Sequence, residues 1–580
     1  MPGGQRYQFD QFTFDTTGNV LRRSGEMVDL KPKEGEALRL LLENHDEELV
    51  TREFLLEKLW PDEAFPSDGR LTTAISKLNT RLGRRANGKK YIRNYSKRGY
   101  SFEKDVKIIG PPPAEPPKIM LAVLPFENLS AKKGREYFSQ GLTDDMITML
   151  SRLNPERLGV IARATSSHPK LATMTIRDIG RELGVAYVLT GSVQSEGSRV
   201  RINAQLAQVR DEAHVWTQSY ERKRGDILAL QSEVVRAIAG QIRIKLVPHE
   251  EERLNRLRTV NPRAYDDYLR GRYLWNERTP KAVEEAAALF EKAVAQDPLS
   301  SMAYSALADC YAALGSQAWM SPGTASKRAR AAALRAMKID DNFAGPHASL
   351  GFVETVFEYR WPQAEQAFQR ALELNHNYST AHHWHAFYLA AMGRMPEALD
   401  AIRRAQRIDP LSRMINTNVA TMLYWARERE YDAAIEQCHD ALGIDPDFWN
   451  AHSMLALALE QKKQYKAAIT EHRRAIAVFP GKSAILVACY ARTCALAGDA
   501  KQARELLRGL HEKGSYPSLP MFQIGLAHAA LGETDAAFRC LRESFNTGEM
   551  WIAYIKVDPR MDALRADRRY RELMTGLGLR

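Results

Sequence analysis

Between Arg70 and Phe102 the chain carries ten Lys/Arg and no Asp or Glu: Arg70, Lys77, Arg81, Arg84, Arg85, Lys89, Lys90, Arg93, Lys97 and Arg98. The stretch before it, Met1 to Gly69, is net acidic. Positive charge gathered on one local surface attracts a polyanion, and a phosphate backbone is the polyanion such a surface fits. The alternative is a solvated charge run with no partner. Spacing favours the first reading. Leu71, Ala74, Ile75, Leu78 and Leu82 recur at helical period, and Arg70, Thr73, Lys77, Thr80 and Arg81 fall on the opposite face. A helix with an apolar back and a cationic, hydroxyl-bearing front is what enters the major groove.

The flanking sequence predicts what holds that helix. Tyr7, Phe9, Phe12, Phe14, Val20, Val28 and Leu30 alternate with polar residues, and Gly18 and Gly25 mark turns, so short antiparallel strands open the chain. A helix follows from about Lys33 to Glu43, with Ala37, Leu38, Leu41 and Leu42 on one face. Thr51 caps a second helix running to Leu59 and Trp60, and Pro61 and Pro66 bracket a loop. Ser67 or Asp68 caps the third helix, which ends near Leu82. Tyr91 to Phe102 reads as a hairpin in which Gly99 permits the turn and Lys97 and Arg98 occupy the tip. Strands, three helices and a hairpin make an α+β winged helix-turn-helix over residues 1–108.

Leu59-Trp60, Leu71, Ile75-Ser76-Lys77-Leu78, Leu82-Gly83, Tyr91-Ile92 and Gly99-Tyr100-Ser101-Phe102 carry a resemblance to the OmpR/PhoB-type output domain of bacterial transcription regulators, over about residues 5–105. The resemblance implies that the third helix enters the major groove and the wing reaches the adjacent minor groove. It makes Thr73, Lys77 and Thr80 or Arg81 the base-reading candidates, with Lys97 and Arg98 on the wing. It also implies two copies on tandem half-sites; the domains beyond the winged helix would change DNA occupancy or contacts with RNA polymerase. Asn79 stands where the family usually has Arg, and Asn94-Tyr95 replaces Thr-Val, so no relative's operator carries over. The winged helix opens the chain, which leaves no place before it for a receiver domain and assigns control to the C-terminal side.

Gly110-Pro-Pro-Pro-Ala-Glu-Pro-Pro-Lys118 is an extended break, giving a linker at 109–118. Beyond it, strands at Ile119–Leu124, Leu158–Ala162, Tyr187–Gln194, Arg199–Gln208 and His214–Tyr220 alternate with helices near Gly141–Leu153, Ile176–Leu183 and Asp226–Leu246. This predicts an α/β domain at 119–248. AVLPFENLS, GLTDDMITML and YVLTGSV resemble the α/β domain of TolB-like proteins, which implies a structural or regulatory role. Asp144-Asp145 lacks a third carboxylate at ligand spacing and reads as helix N-terminal acids facing the macrodipole.

From Pro262 the chain repeats. Boundaries at Pro298, Asp341, His376, Pro410, Pro446 and Pro480 each follow an alanine by five residues: Ala293, Ala336, Ala371, Ala405, Ala441 and Ala475. Small residues recur in the first helices at Ala308, Gly351, Ala386, Ala420, Ala456, Ala491 and Gly525. The period of about 34 residues resembles the tetratricopeptide repeat. It implies an all-α solenoid of seven or eight units over 262–550, an insertion at Ser316–Thr324, a cap at 551–580, and a groove for a protein or peptide.

Composition and motif searches narrow the function classes. The +11 formal charge fits a nucleic-acid partner. No run reaches the ~20 apolar residues of a membrane span, and the five cysteines are odd in number without a CxxC pair, so a reduced, cytoplasmic protein is expected. His382, His383 and His385 lack further metal ligands; Pro480-Gly481-Lys482-Ser483 lacks the earlier glycine of a phosphate loop; no Gly-x-Ser-x-Gly elbow occurs. The sequence therefore predicts a one-component transcriptional regulator without cofactor, metal or enzymatic activity, bound to double-stranded DNA and to a protein or peptide signal. The competing class is an interaction scaffold whose winged helix binds protein, or DNA non-specifically.

Overall fold

The computed structural model describes residues 6–16, 19–23, 26–28, 30–45, 49–60, 68–85, 88–96, 98–102, 106–109, 118–130, 136–196, 198–244, 246, 248–255, 260–426, 428–512 and 516–579. The chain divides into two compact units, Met1–Pro117 and Lys118–Arg580.

The first unit runs β1 (Arg6–Phe9), β2 (Phe12–Asp15), β3 (Val20–Arg23), β4 (Glu26–Val28), α1 (Pro32–Glu43), β5 (Val50–Thr51), α2 (Arg52–Leu59), α3 (Asp68–Leu82), β6 (Ile92–Tyr95), β7 (Gly99–Phe102) and β8 (Lys107–Ile109). One antiparallel sheet has the order β4-β3-β2-β1-β8, and a second the order β5-β7-β6. Alternation in β1 and β2 sends Tyr7, Phe9, Phe12 and Phe14 into the core. There Phe9 meets Phe102 edge-on at 4.9 Å and Phe12 meets Tyr91 at 5.6 Å, contacts worth about 0.5–1.5 kcal/mol each beyond area burial. The helices form where expected, and Thr51 accepts the amide of Phe54 as the cap of α2. Gly18, Gly25, the Pro61–Pro66 loop and Ser67 lie outside the described residues.

Gly99 acts differently from the sequence expectation. It lies inside β7 and makes no left-handed turn; a Cβ there would sit 2.1 Å from the Val50 carbonyl oxygen. Glycine is required because β5 passes that closely.

The second unit begins with β9 (Ile119–Val123), β10 (Glu127–Asn128), α4 (Glu136–Ser151), β11 (Leu158–Val160), α5 (Arg163–Ser166), α6 (Ile176–Leu183), β12 (Tyr187–Glu196), β13 (Arg199–Gln208), β14 (Ala213–Lys223), α7 (Ile227–Gln241) and α8 (Pro248–Asn255). The sheet order is β11-β9-β12-β13-β14, with β10 also on β12; β9, β11 and β12 are parallel, and β12 to β14 antiparallel. Leu121 and Val123 pack with α4 and α7, while Ala122 between them packs with Ile179 and Leu183 of α6.

Eight helix pairs follow among the described residues, from Pro262–Trp275 with Pro280–Gln296 to Met521–Ala530 with Thr534–Thr547. The periodic alanines now have a reason. Ala293, Ala336, Ala371, Ala405, Ala441 and Ala475 are at most 1% exposed, and each carbonyl accepts the amide that closes its helix. A second period appears in the turn inside each pair. Arg278, Ala318, Tyr359, Gly393, Arg429, Lys463, Gly498 and Gly532 all have positive φ there. The insertion is not a loop at Ser316–Thr324. The second pair has helices of 16 and 18 residues against 13 and 14 in the third, so the extra residues lengthen both helices.

The α/β domain is packed against the repeats. Thr165 donates its amide and hydroxyl to Asp409, at 2.8 and 2.7 Å, and its oxygen accepts the Leu411 amide. Arg152 pairs with Asp340, and Asn377 donates to the carbonyls of Pro155 and Leu158. Asp340, Asn377 and Asp409 belong to successive inter-repeat loops, so the domain spans the junctions of four repeats. The chain's last segment does more than cap the end. Tyr359 donates to the Glu549 carbonyl, Lys556 to that of Met392, and Arg429 pairs with Asp562. The turns of three middle repeats thus hold it.

Burial raises the Asp409 carboxyl to about 6, against the opposing pull of the Thr165 donors. A carboxyl whose folded pKa exceeds its unfolded value supports folding below pH ~4 and loses that contribution as pH rises through about 6. Asp409→Asn removes the ionised form. The melting temperature of Asp409→Asn relative to wild type should therefore be higher at pH 7.5 than at pH 4.5; a pH-independent difference contradicts this.

Candidate nucleic-acid interface

The surface of α3 is built by what its other contacts use up. Leu71, Ala74, Ile75, Leu78 and Leu82 are buried against the core. Asn79 donates to the Ile92 carbonyl at 3.1 Å and accepts the Ile92 amide at 3.2 Å, so it ties the helix to β6 as a second strand would. Arg23 donates to the carbonyls of Arg81 and Leu82 and so closes the C-terminal end. Arg52 donates to Asn94 at 3.3 Å, pairs with Asp68 at 3.5 Å and lies over the Tyr100 ring. The two departures from the family pattern, Asn79 and Asn94, therefore join helix to wing.

Arg70, Thr73, Lys77 and Thr80 are exposed on the opposite side of α3. Thr73 and Thr80 donate their hydroxyls to the carbonyls of Gly69 and Ser76, at 2.8 and 3.0 Å. Each still presents an acceptor lone pair and a methyl group outward. Among the described residues Lys77 has no hydrogen-bond or ion-pair partner. Arg98 is exposed beside the hairpin turn, its amide donating to Tyr95 at 2.9 Å and its carbonyl accepting from Arg52. Lys97 lies outside the described residues. Arg81 is drawn the other way. Its Nε donates to Glu34 at 2.8 Å, and Glu34, 2% exposed, also accepts the Lys31 amide. That bond commits Arg81 to holding α3 on α1, so the geometry favours Lys77 and Thr80 over Arg81 as base-reading candidates.

A second candidate site lies in the other unit. The first helices of the pairs, the α/β domain and the C-terminal segment line one cavity of about 410 Å³. Six of the chain's nine tryptophans face it: Trp275, Trp319, Trp384, Trp425, Trp449 and Trp551. Asp144 is among the lining residues, and the Asp144-Asp145 doublet corrects the sequence reading. These acids lie in the middle of α4, 3% and 1% exposed, far from its N-terminus. Asp145 accepts from Tyr265 at 2.6 Å, Tyr268 at 3.1 Å and Gln231 at 3.3 Å; burial raises it to about 6 despite these donors. Asp144 pairs with Arg163 and Arg272. Burial likewise raises Asp309 to about 6, against donation by Ser349. The histidines are structural. His382 bonds the His376 carbonyl, His383 bonds Asn418 at 2.7 Å, and His385 packs on Phe368 and Tyr388. Burial pulls His383 down to about 3 and His385 to about 4.

Residues 25–102 match the family "Transcriptional regulatory protein, C terminal". The chain carries the DNA-binding domain of a transcriptional regulator. Residues 117–237 match "HilA/YgeH-like transcriptional regulator, second domain". Residues 283–318 and 422–483 match the tetratricopeptide repeat. The transcriptional regulator HilA of Salmonella typhimurium is 24% identical over 411 residues, 70% of this chain and 71% of that protein. Putative adenylate cyclase 3 of Rhizobium meliloti is 41% identical over 197 residues, and the match spans 34% of this chain and only 33% of the cyclase. Among solved structures, a human IFIT1 dimer with PPP-AAAA has a TM-score of 0.39 at 14% identity, covering 55% of this chain and 78% of that one. YrrB, a TPR protein with an unusual peptide-binding site, has a TM-score of 0.24 at 18% identity, covering 38% and 97%.

The regulator's helix and wing were legible from periodicity; the cavity was not. Its tryptophans are scattered over 277 residues of sequence, from Trp275 to Trp551 inclusive. The nearest signal was an acidic doublet inside an apolar helix, which calls for buried partners.

Arg81→Met should leave Glu34 without its cation. The loss is about 1–3 kcal/mol, below that of a wholly buried pair because Arg81 is 31% exposed. It should appear in the full chain as faster amide exchange along α1 and α3. Lys77→Met should leave exchange unchanged; equal effects of the two substitutions would refute the division of labour.

Proposed function

We propose that the regulator reads promoter DNA with the exposed face of α3 and the β6–β7 wing, and that its repeat unit receives the signal that alters DNA occupancy. The observation that carries this reading is the cationic, hydroxyl-bearing face of α3, with Lys77 unpartnered among the described residues. Arg70, Thr73, Lys77 and Thr80 on the helix and Lys97 and Arg98 on the wing are the contact candidates, with Arg81 as support. A cation on the wing beside a groove-reading helix fits a phosphate or minor-groove contact. Two copies on tandem half-sites and a contact to RNA polymerase complete the proposal. DNA reading places the protein in the cytoplasm, and no helix among the described residues is long and apolar enough to cross a membrane.

Tetratricopeptide repeats commonly bind protein or peptide. Here the α/β domain and the C-terminal segment already occupy part of the array, so a protein partner is expected on the remaining repeat surface. The regulator domains at 25–102 and 117–237 support a non-enzymatic role. Incubation with ATP should accordingly yield no cyclic AMP, whatever the name of the Rhizobium relative implies for that protein.

Lys77→Ala and Arg98→Ala should each weaken binding of the full chain to its DNA. Where the lost contact is to phosphate, the slope of log affinity against log salt should fall by about 1. Unaltered affinity in both variants would reject this surface. Steep salt dependence without sequence preference would favour the scaffold reading instead.

A further inference from the structure

The cavity of the repeat unit is lined by five arginines and three aspartates, with no lysine or glutamate. Four of the arginines already answer a carboxylate: Arg152 with Asp340, Arg163 and Arg272 with Asp144, and Arg560 with Asp558. Arg278 is the fifth. Among the described residues no carboxylate lies within ion-pair distance of it. Its guanidinium lies over the Trp275 ring at 3.8 Å and opens onto the cavity. Desolvation lowers the Arg278 pKa to about 10, against the raising influence of the Asp309 carboxylate, and leaves it charged at neutral pH.

Its place in the repeat sharpens the contrast. Arg278 occupies the left-handed turn position that Gly393, Gly498 and Gly532 fill in other pairs. A side chain there is conformationally unfavourable and persists where surrounding structure or function uses it. Tyr359 and Arg429, at the same position, hold the C-terminal segment. Among the described residues Arg278 makes no such contact.

Two further residues of the lining each hold a buried polar atom without a partner among the described residues. Gln523, 2% exposed, has an Oε1 atom without a donor, and the buried Nε1 of Trp551 has no acceptor. Most of the remaining wall is aromatic or apolar, and about 410 Å³ lies in the range of small-molecule sites.

We propose that this cavity binds a small organic anion with an aromatic body, its charge on Arg278 and its rings among the tryptophans. Arg278 favours an anion over a cation, and a volume of about 410 Å³ suits a small molecule. Guanidinium meets a carboxylate, sulfonate or phosphate equally, so the class is defined by charge and ring rather than by one acid.

The test uses the full-length protein and two fluorescent probes that differ by one sulfonate, anilinonaphthalene sulfonate and neutral phenylnaphthylamine. The sulfonate probe should bind saturably at one site with energy transfer from tryptophan. Arg278→Met should weaken it about tenfold, the scale of one lost charge-assisted contact. The neutral probe should be unaffected, and Arg278→Lys should restore most of the binding. In the wild type, naphthalene sulfonate should displace the probe and naphthylmethylammonium should not. Equal losses for both probes, no loss in Arg278→Met, displacement by the cation, or many weak sites would each overturn the proposal. The readout contains no DNA, so its failure leaves the DNA reading standing.

Discussion

Glu34, Asp144 and Asp145 are carboxylates almost wholly withdrawn from water, at 2%, 3% and 1% exposure. Such groups are tolerated only where donors meet them, because an uncompensated buried charge is worth several kcal/mol against folding. Both units are organised around that requirement. In the first, Glu34 takes Arg81 and the Lys31 amide, and this sets the rotation of α3 about its axis. In the second, Asp145 takes two tyrosine hydroxyls and a glutamine amide, and Asp144 takes two arginines, which seats the α/β domain on the first repeat. What each arrangement leaves over is a cation without an ion-pair partner among the described residues: Lys77 on α3 and Arg278 in the cavity. Function is assigned to those remainders.

The second unit departs from an open solenoid for a related reason. A repeat array exposes an inner face made of its first helices. Here that face is rich in tryptophan, and a large aromatic surface is unfavourable in water. The α/β domain covers it from the inter-repeat loops, through Asp340, Asn377 and Asp409. The C-terminal segment covers it from the turns within the pairs; there Tyr554 stacks on Trp425 at 4.6 Å and Trp361 donates to the Leu577 carbonyl at 2.7 Å. The result is a cavity of about 410 Å³ on that face.

Local periodicity made much of this legible. The buried face of α3 follows from five apolar residues at helical spacing, and the alanines before each repeat boundary mark where a helix-closing amide needs a small neighbour. The α/β strands follow from alternation, to within a few residues at their ends. What escaped depends on contacts distant in sequence. Gly99 looks like a turn glycine until β5, some fifty residues earlier, is seen pressing on it. Asp144-Asp145 looks like a pair of terminal acids until Tyr265, Tyr268 and Arg272 arrive from the first repeat. Arg81 shares a helical face with Lys77, and only the position of Glu34 separates their roles. Arg278 carries no sequence signal, because its meaning lies in the absence of an ion-pair partner.

The central claim is that the winged helix reads particular DNA sequences. Its most direct test is to pass fragmented DNA from the protein's own source over the full-length chain at physiological salt and to sequence what is retained. A small set of enriched fragments sharing a common half-site is expected. Uniform recovery that falls steeply with salt would contradict it, leaving the cationic surface as a generic anchor for a protein whose work lies elsewhere.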